Sequence, residues 1–151
     1  VSAGDSTGIR HPRPVHLHWR YVGLVALGGM FGTAAREALA LMIPSVGAFP
    51  LAIFLINISG ASLLGVLLEG LARRGPDAGR RRTLRLLLGT GFLGGFTTYS
   101  ALAAASALLL GEQAGLALGY ALGTVLAGAV ATWCGIAVGA LVSGRLGGAR
   151  A

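Results

Sequence analysis

The sequence contains no lysine, a single cysteine and very little charge. Charged residues fill 11% of its 151 positions, and only five of them are acidic. A soluble domain carries about 25%. So little charge cannot clothe a water-facing surface, which excludes an ordinary soluble globular protein. The lone Cys134 cannot close an internal disulfide, and no metal-ligand spacing surrounds it. Histidine occurs only as His11, His16 and His18, in a polar leading segment without the fixed geometry a metal site needs. Within the apolar segments no Ser, Cys or Asp has a base partner, so a catalytic constellation is missing and an enzyme is excluded.

Apolar residues are what the chain has in abundance. They make up 54% of it, mean hydropathy is +0.76, and 26 residues are glycine. A helix rises about 1.5 Å per residue and a bilayer core is about 30 Å thick, so about 20 apolar residues span it. Four segments qualify, near Trp19–Ile43, Pro50–Ala72, Leu84–Leu110 and Ala114–Val142. Backbone polar groups in lipid must be satisfied internally, so each reads as a helix, and no alternating barrel-strand pattern is present. The fold class is therefore an all-α integral membrane protein with four transmembrane helices. A disordered cytoplasmic tail is expected over 1–18, the membrane unit over 19–143 and a second tail over 144–151. The first segment is too long for a signal peptide and no A-x-A site follows it.

All twelve basic residues are arginine, and eleven of them flank the spans. Arg10, Arg13 and Arg20 precede the first span, Arg73 to Arg85 fill the second connection, and Arg145 and Arg150 follow the fourth. The first and third connections hold none. This one-sided pattern is a topology signal and not a nucleic-acid footprint. It places the chain in the plasma (inner) membrane with both termini cytoplasmic.

Small residues recur at four-residue spacing, as Gly28 and Gly32, Gly91 and Gly95, and the run Gly111, Gly115, Gly119 and Gly123. Such stripes let helices approach closely in lipid. Gly89–Gly94 matches G-x-G-x-x-G, but no preceding strand or βαβ context supports a dinucleotide site. Gly94-Gly95-Phe96-Thr97-Thr98 falls mid-way along the third span, where two glycines and two β-branched residues weaken a helix. Two readings stand: a functional break in the helix, or an unbroken helix whose hydroxyls bond back to carbonyls. Asn57 lies deep in the second span, either beside an ion path or as an interhelical bond. Tyr120, Thr124, Gly128 and Thr132 recur every fourth residue, and three of them bear hydroxyls that can solvate a small ion. Arg36 is the only cation inside a span, positioned to snorkel or to draw anions into a vestibule.

These features together resemble the small fluoride channels of the Fluc, or CrcB, family. The resemblance covers all four spans. It rests on Gly28-Gly29-x-x-Gly32-x-x-x-Arg36, on Asn57-x-x-Gly60, and most on Gly91-Phe92-Leu93-Gly94-Gly95-Phe96-Thr97-Thr98-Tyr99-Ser100. It implies an antiparallel, dual-topology dimer with two fluoride pores lined by both subunits. It also implies breaks in the third helices that meet at the dimer centre and hold one structural Na⁺. Here the ligating carbonyls would be those of Gly94 and Thr97. Asn57 would line the pore, and Tyr120, Thr124 and Thr132 would form its polar track. The family pattern has two Phe, three residues apart, after the Thr pair, with ring edges that meet the anion. This chain has Tyr99 and Leu102 there, and leucine offers no electropositive edge.

The leading expectation is passive, fluoride-selective export of cytoplasmic fluoride, relieving its toxicity. One alternative is a small proton-coupled multidrug exporter, which needs a mid-membrane carboxylate. Glu37 is the sole candidate, and it lies near the end of its span beside Arg36. Another is a non-conducting structural subunit. The resemblance demands subunits of opposite orientation, and the arginine bias holds this chain in one. A heterodimer with an oppositely oriented homologous subunit is therefore expected, with fluoride and the bilayer as the other partners.

Overall fold

The computed structural model describes residues 18–148, and the side chains of 18–144. Of the tail expected over 1–18, residues 1–17, with Arg10, Arg13, His11 and His16, lie outside the described residues, as do 149–151. Among the described residues every regular element is a helix, apart from one isolated bridge pair, and four helices are long and apolar enough to cross a membrane.

Helix α1 runs Trp19–Met42 and α2 runs Leu51–Ala72. Their short connection is pinched by the Val46–Phe49 bridge, with Gly47 at φ +57° making the turn. The third span, Arg80–Glu112, is assembled from pieces. It starts four residues before the expected Leu84, with α3 (Arg80–Leu84), then a π-helical segment, Arg85–Leu93, then α4 (Gly94–Phe96). Thr97 (φ −76°, ψ 153°) and Thr98 (φ −146°, ψ 118°) are extended, and α5 begins at Tyr99 and ends at Glu112. The Thr98 hydroxyl accepts from the Ala101 N–H at 3.1 Å, capping the new helix. Helix α6 (Ala114–Gly148) continues six residues beyond the expected Val142. Nothing after Val142 stops a helix: no proline follows, and the first glycines do not take positive φ. Its 35 residues make a rod of about 50 Å, longer than the about 30 Å apolar core, so the segment taken as a tail begins as helix.

Two close helix pairs carry the packing. A Cβ on Gly28 would collide with the Leu87 carbonyl oxygen, and one on Gly32 with that of Phe92, so α1 lies backbone to backbone on the π segment. A Cβ on Gly65 would strike the Thr132 carbonyl, and one on Gly135 that of Ser62, so α2 and α6 approach as closely. Lipid gives helices no hydrophobic reason to associate, and close contact of this kind supplies the attraction instead. Where α5 returns to α6, Leu102, Leu109, Ala117 and Tyr120 form the apolar core, closed by Phe49, Ile53 and Phe54. A Cβ at Gly111, Gly115, Gly119 or Gly123 would meet nothing within 4 Å among the described residues of the other helices. That part of the sequence pattern packs nothing inside one subunit.

Gly28→Ala and Gly135→Ala should each lower the melting temperature by several degrees, because overpacking a tight contact costs about 1–3 kcal/mol. Gly23→Ala, where a Cβ meets nothing within 4 Å, should leave it unchanged or raise it. Thermal unfolding in detergent reads the difference, and equal behaviour of the three would disprove the assignment of these contacts.

Candidate functional site

Leaving helical geometry at Thr97 and Thr98 strands backbone groups in the interior of the protein, and their partners define the site. The Thr98 N–H donates to Asn57 Oδ1 at 2.8 Å, and Asn57 Nδ2 donates to the Thr98 carbonyl at 3.1 Å. One side-chain amide thus serves both polar groups of one residue, as a neighbouring strand would. No other uncharged side chain carries a donor and an acceptor in that geometry at that reach.

The carbonyls around the interruption divide into two sets. The Leu93 oxygen accepts from the Thr97 N–H at 3.0 Å and the Thr97 hydroxyl at 2.9 Å. The Gly95 oxygen accepts from the Thr33 hydroxyl at 3.4 Å and Arg36 Nη1 at 3.3 Å. Arg36 also donates through Nε and Nη2 to Glu37 Oε1, so much of its charge is spent within the chain. By contrast, no described residue donates to the carbonyl of Thr97. An unpaired carbonyl inside a membrane protein is the hard oxygen ligand that a small cation seeks. Gly94 and Thr97 are the pair that the sequence resemblance points to.

Beside this interruption lies an open groove of about 320 Å³ between α2, the third span and α6. Its walls bring together Asn57, Thr98, Tyr99, Leu102, Thr124 and Thr132, with Thr97 and Gly128 among them. Residues far apart in sequence thus meet on one surface. Both groove threonines of α6 bond back to their own helix: Thr124 to the Tyr120 carbonyl at 2.7 Å and Thr132 to the Gly128 carbonyl at 2.9 Å. The Tyr99 side chain is 81% exposed and reaches away from this chain's own interior. Leu102 is 6% exposed and closes the groove floor with an aliphatic wall.

Tyr120 is not among the groove-lining residues. It is 2% exposed, in edge-to-face contact with Phe49 at 5.3 Å, and its hydroxyl has no partner among the described residues. Sequence spacing puts it in register with Thr124, but the return of α5 and the Phe49 ring cover it. Phe49, Phe54 and Thr98 have roles here that the sequence reading did not foresee. The one signal for the two rings was the Phe49-Pro50 step that launches α2.

Residues 23–136 match the family described as CrcB-like protein, Camphor Resistance (CrcB). Relatives are similar over nearly the whole chain. One from Leifsonia xyli subsp. xyli, named fluoride-specific ion channel FluC 2, is 50% identical over 135 residues, covering 89% of this chain and 93% of its own. One from Cutibacterium acnes, fluoride-specific ion channel FluC 1, is 43% identical over 92% of this chain and 95% of its own. A third, fluoride-specific ion channel FluC from Deinococcus radiodurans, is 41% identical over 83% and 93%.

Asn57→Leu should leave the Thr98 N–H and carbonyl without partners, at about 1–3 kcal/mol for each buried group. The expected outcome is a lower unfolding temperature and faster amide exchange at Thr98. Asn57→Asp, which keeps an acceptor but loses the donor, should fall between. Wild-type exchange at Thr98 in the leucine variant would contradict the clamp.

Proposed function

The chain belongs to the CrcB family, and on that premise we propose that it is a subunit of a fluoride-selective channel through which cytoplasmic fluoride leaves the cell passively. The observation that carries this reading is the groove, which gathers an amide, hydroxyls and a ring around a path with no carboxylate. A small, strongly hydrated anion gives up water only where hydrogen-bond donors replace it. Thr124 and Thr132 supply such donors, Asn57 Nδ2 has a second N–H beyond the one given to Thr98, and the Tyr99 ring supplies an edge. Tyr120 stands behind this set, its unpartnered hydroxyl buried and its ring against Phe49. Arg36 stands at the vestibule, its field reduced by Glu37. The same ion pair argues against a proton-coupled exporter, because Glu37 is held by a cation near the end of α1.

The groove is open, Tyr99 points out of the chain, and the α6 glycine stripe has no internal neighbour. These three features support a second subunit closing the pore, packed antiparallel so that the two interruptions face one another at the dimer centre. The carbonyls of Gly94 and of Thr97, the latter reached by no described donor, fit a structural Na⁺ there. Bound, that ion supplies a fixed positive charge that holds the two chains' backbones together. Because arginine is gathered at one end of the bundle, this chain sits with both termini in the cytoplasm. The partner is then a homologue with its positive charge on the opposite connections. Such a partner also provides aromatic edges where this chain has Leu102.

Fluoride efflux from liposomes, followed with a fluoride electrode, tests the reading. The chain co-purified with an oppositely biased homologue should release fluoride but retain chloride. The chain alone should release neither at a comparable rate. Robust efflux from the lone chain would overturn the heterodimer, and no efflux from the pair would leave this chain a structural subunit. Replacing Na⁺ by a large organic cation during purification should lower dimer stability, and unchanged stability would count against the Gly94 and Thr97 site.

A further inference from the structure

The arginine-bearing end of the bundle has a second pair of cavities that the channel reading does not use. A cavity of about 550 Å³ opens between α1 and the π segment, walled by Tyr21, Val25, Ala26, Leu86 and Thr90, with Arg85 at its rim. A second, of about 440 Å³, lies on the other side of Arg85, between Leu68 and Leu71 of α2 and the polar side chains of Asp77 and Arg81. Arg85 is the common wall of an apolar crevice and a basic one.

Hydrogen bonding at that wall leaves directed donors over. Asp77 takes Arg85 Nε at 3.1 Å and Nη2 at 2.8 Å, and the Pro76 carbonyl takes Arg81 Nε at 2.8 Å. Arg82 also lies on Asp77, with Nε 3.6 Å from Oδ2. Arg85 Nη1 and both Arg81 Nη groups have no acceptor among the described residues. Arg82 and Arg85 lie on the one carboxylate and Arg81 stands beside it on the Pro76 carbonyl, which leaves an excess of two positive charges. The hydrogen bond from Arg85 holds the Asp77 carboxyl below the usual carboxylate range, so the pair stays ionised at neutral pH. Two to three cationic donors beside an apolar crevice at a helix end match an amphiphile with a phosphate head, and basic pockets between helices recognise such headgroups. A free anion would use only the basic cavity, and a neutral lipid only the apolar one.

We propose that this corner is a binding site for one anionic phospholipid, its phosphate on Arg81 and Arg85 and an acyl chain in the crevice between α1 and the π segment. The ligand bridges α1, α2 and the third span at one membrane face. It thereby ties the connection that carries half of the arginines to the bilayer surface.

Native mass spectrometry of the full chain in detergent, titrated with dioleoyl phosphatidylglycerol, dioleoyl phosphatidylcholine or inorganic phosphate, tests this. One phosphatidylglycerol per chain should be retained about tenfold more strongly than phosphatidylcholine, and phosphate should not be retained. Ala26→Trp places a ring in the crevice from an exposed position and should abolish the retained lipid without lowering the melting temperature. The double variant Arg81→Gln, Arg85→Gln should erase the preference between the two lipids, while Arg81→Lys should keep it. Should Ala26→Trp fail to fold, the arginine variants decide alone. Equal retention of both lipids, undiminished retention in the folded tryptophan variant, or retention of phosphate by itself would each overturn the site.

Discussion

Everything distinctive in this chain follows from one constraint. Backbone polar groups inside a membrane protein must find partners within the protein. A regular helix meets that demand automatically, and two extended residues in the third span do not. The structure answers with side chains from outside the span. Asn57 takes both groups of Thr98, and Thr33 and Arg36 take the Gly95 carbonyl. The third span is held from α2 on one side and from α1 on the other. What remains without a described donor is the carbonyl of Thr97. The interruption is therefore over-determined on two faces and unfinished on the third.

Holding it that way requires the helices to be close, which is the physical use of the glycines. The 3.1 Å bond from Asn57 to Thr98 spans only the width of a helix contact stripped of side chains. Gly60, one turn on from Asn57, leaves room for the Thr97 methyl, and Gly32 leaves room for the Phe96 backbone. Leu or Val at either place would push α2 or α1 outward by more than a hydrogen bond tolerates. Packing and polar satisfaction are thus one requirement met by two kinds of residue.

Much of this is legible in the sequence, for reasons that differ by feature. The four spans follow from hydropathy and length, because lipid imposes one rule on every residue of a span. Asn57, Thr124 and Thr132 stand out because polar side chains are costly in hydrocarbon, and the groove gathers them with Tyr99 and Leu102. The partner of Asn57 was not legible, since a backbone group leaves no mark in a sequence. Nor was the burial of Tyr120, whose four-residue spacing from Thr124 says nothing about the Phe49 ring above it. The full length of α6 was missed because hydropathy falls at Val142, while the helix runs on to Gly148 with no proline to stop it. Hydropathy reports where lipid ends, and a helix is free to continue into water.

The back-bonded threonines show how a path for an anion can exist without cost when it is empty. Thr124 and Thr132 each give their hydroxyl proton to a carbonyl one turn earlier in the same helix. A carbonyl oxygen has two lone pairs, so it can keep its helical N–H bond when the hydroxyl turns away. Releasing the hydroxyl therefore forfeits a bond worth about 0.5–1.5 kcal/mol net, and leaves no bare polar group behind. An anion that accepts the freed proton gains a charge-assisted bond, which is roughly twice as strong as the neutral one given up. Each threonine on the groove wall can thus pass between the two states on a nearly level energy surface. A fixed cation there would instead bind the anion and keep it. Placing the arginine at the ends of the bundle, and hydroxyls rather than charges along the groove, favours passage over capture.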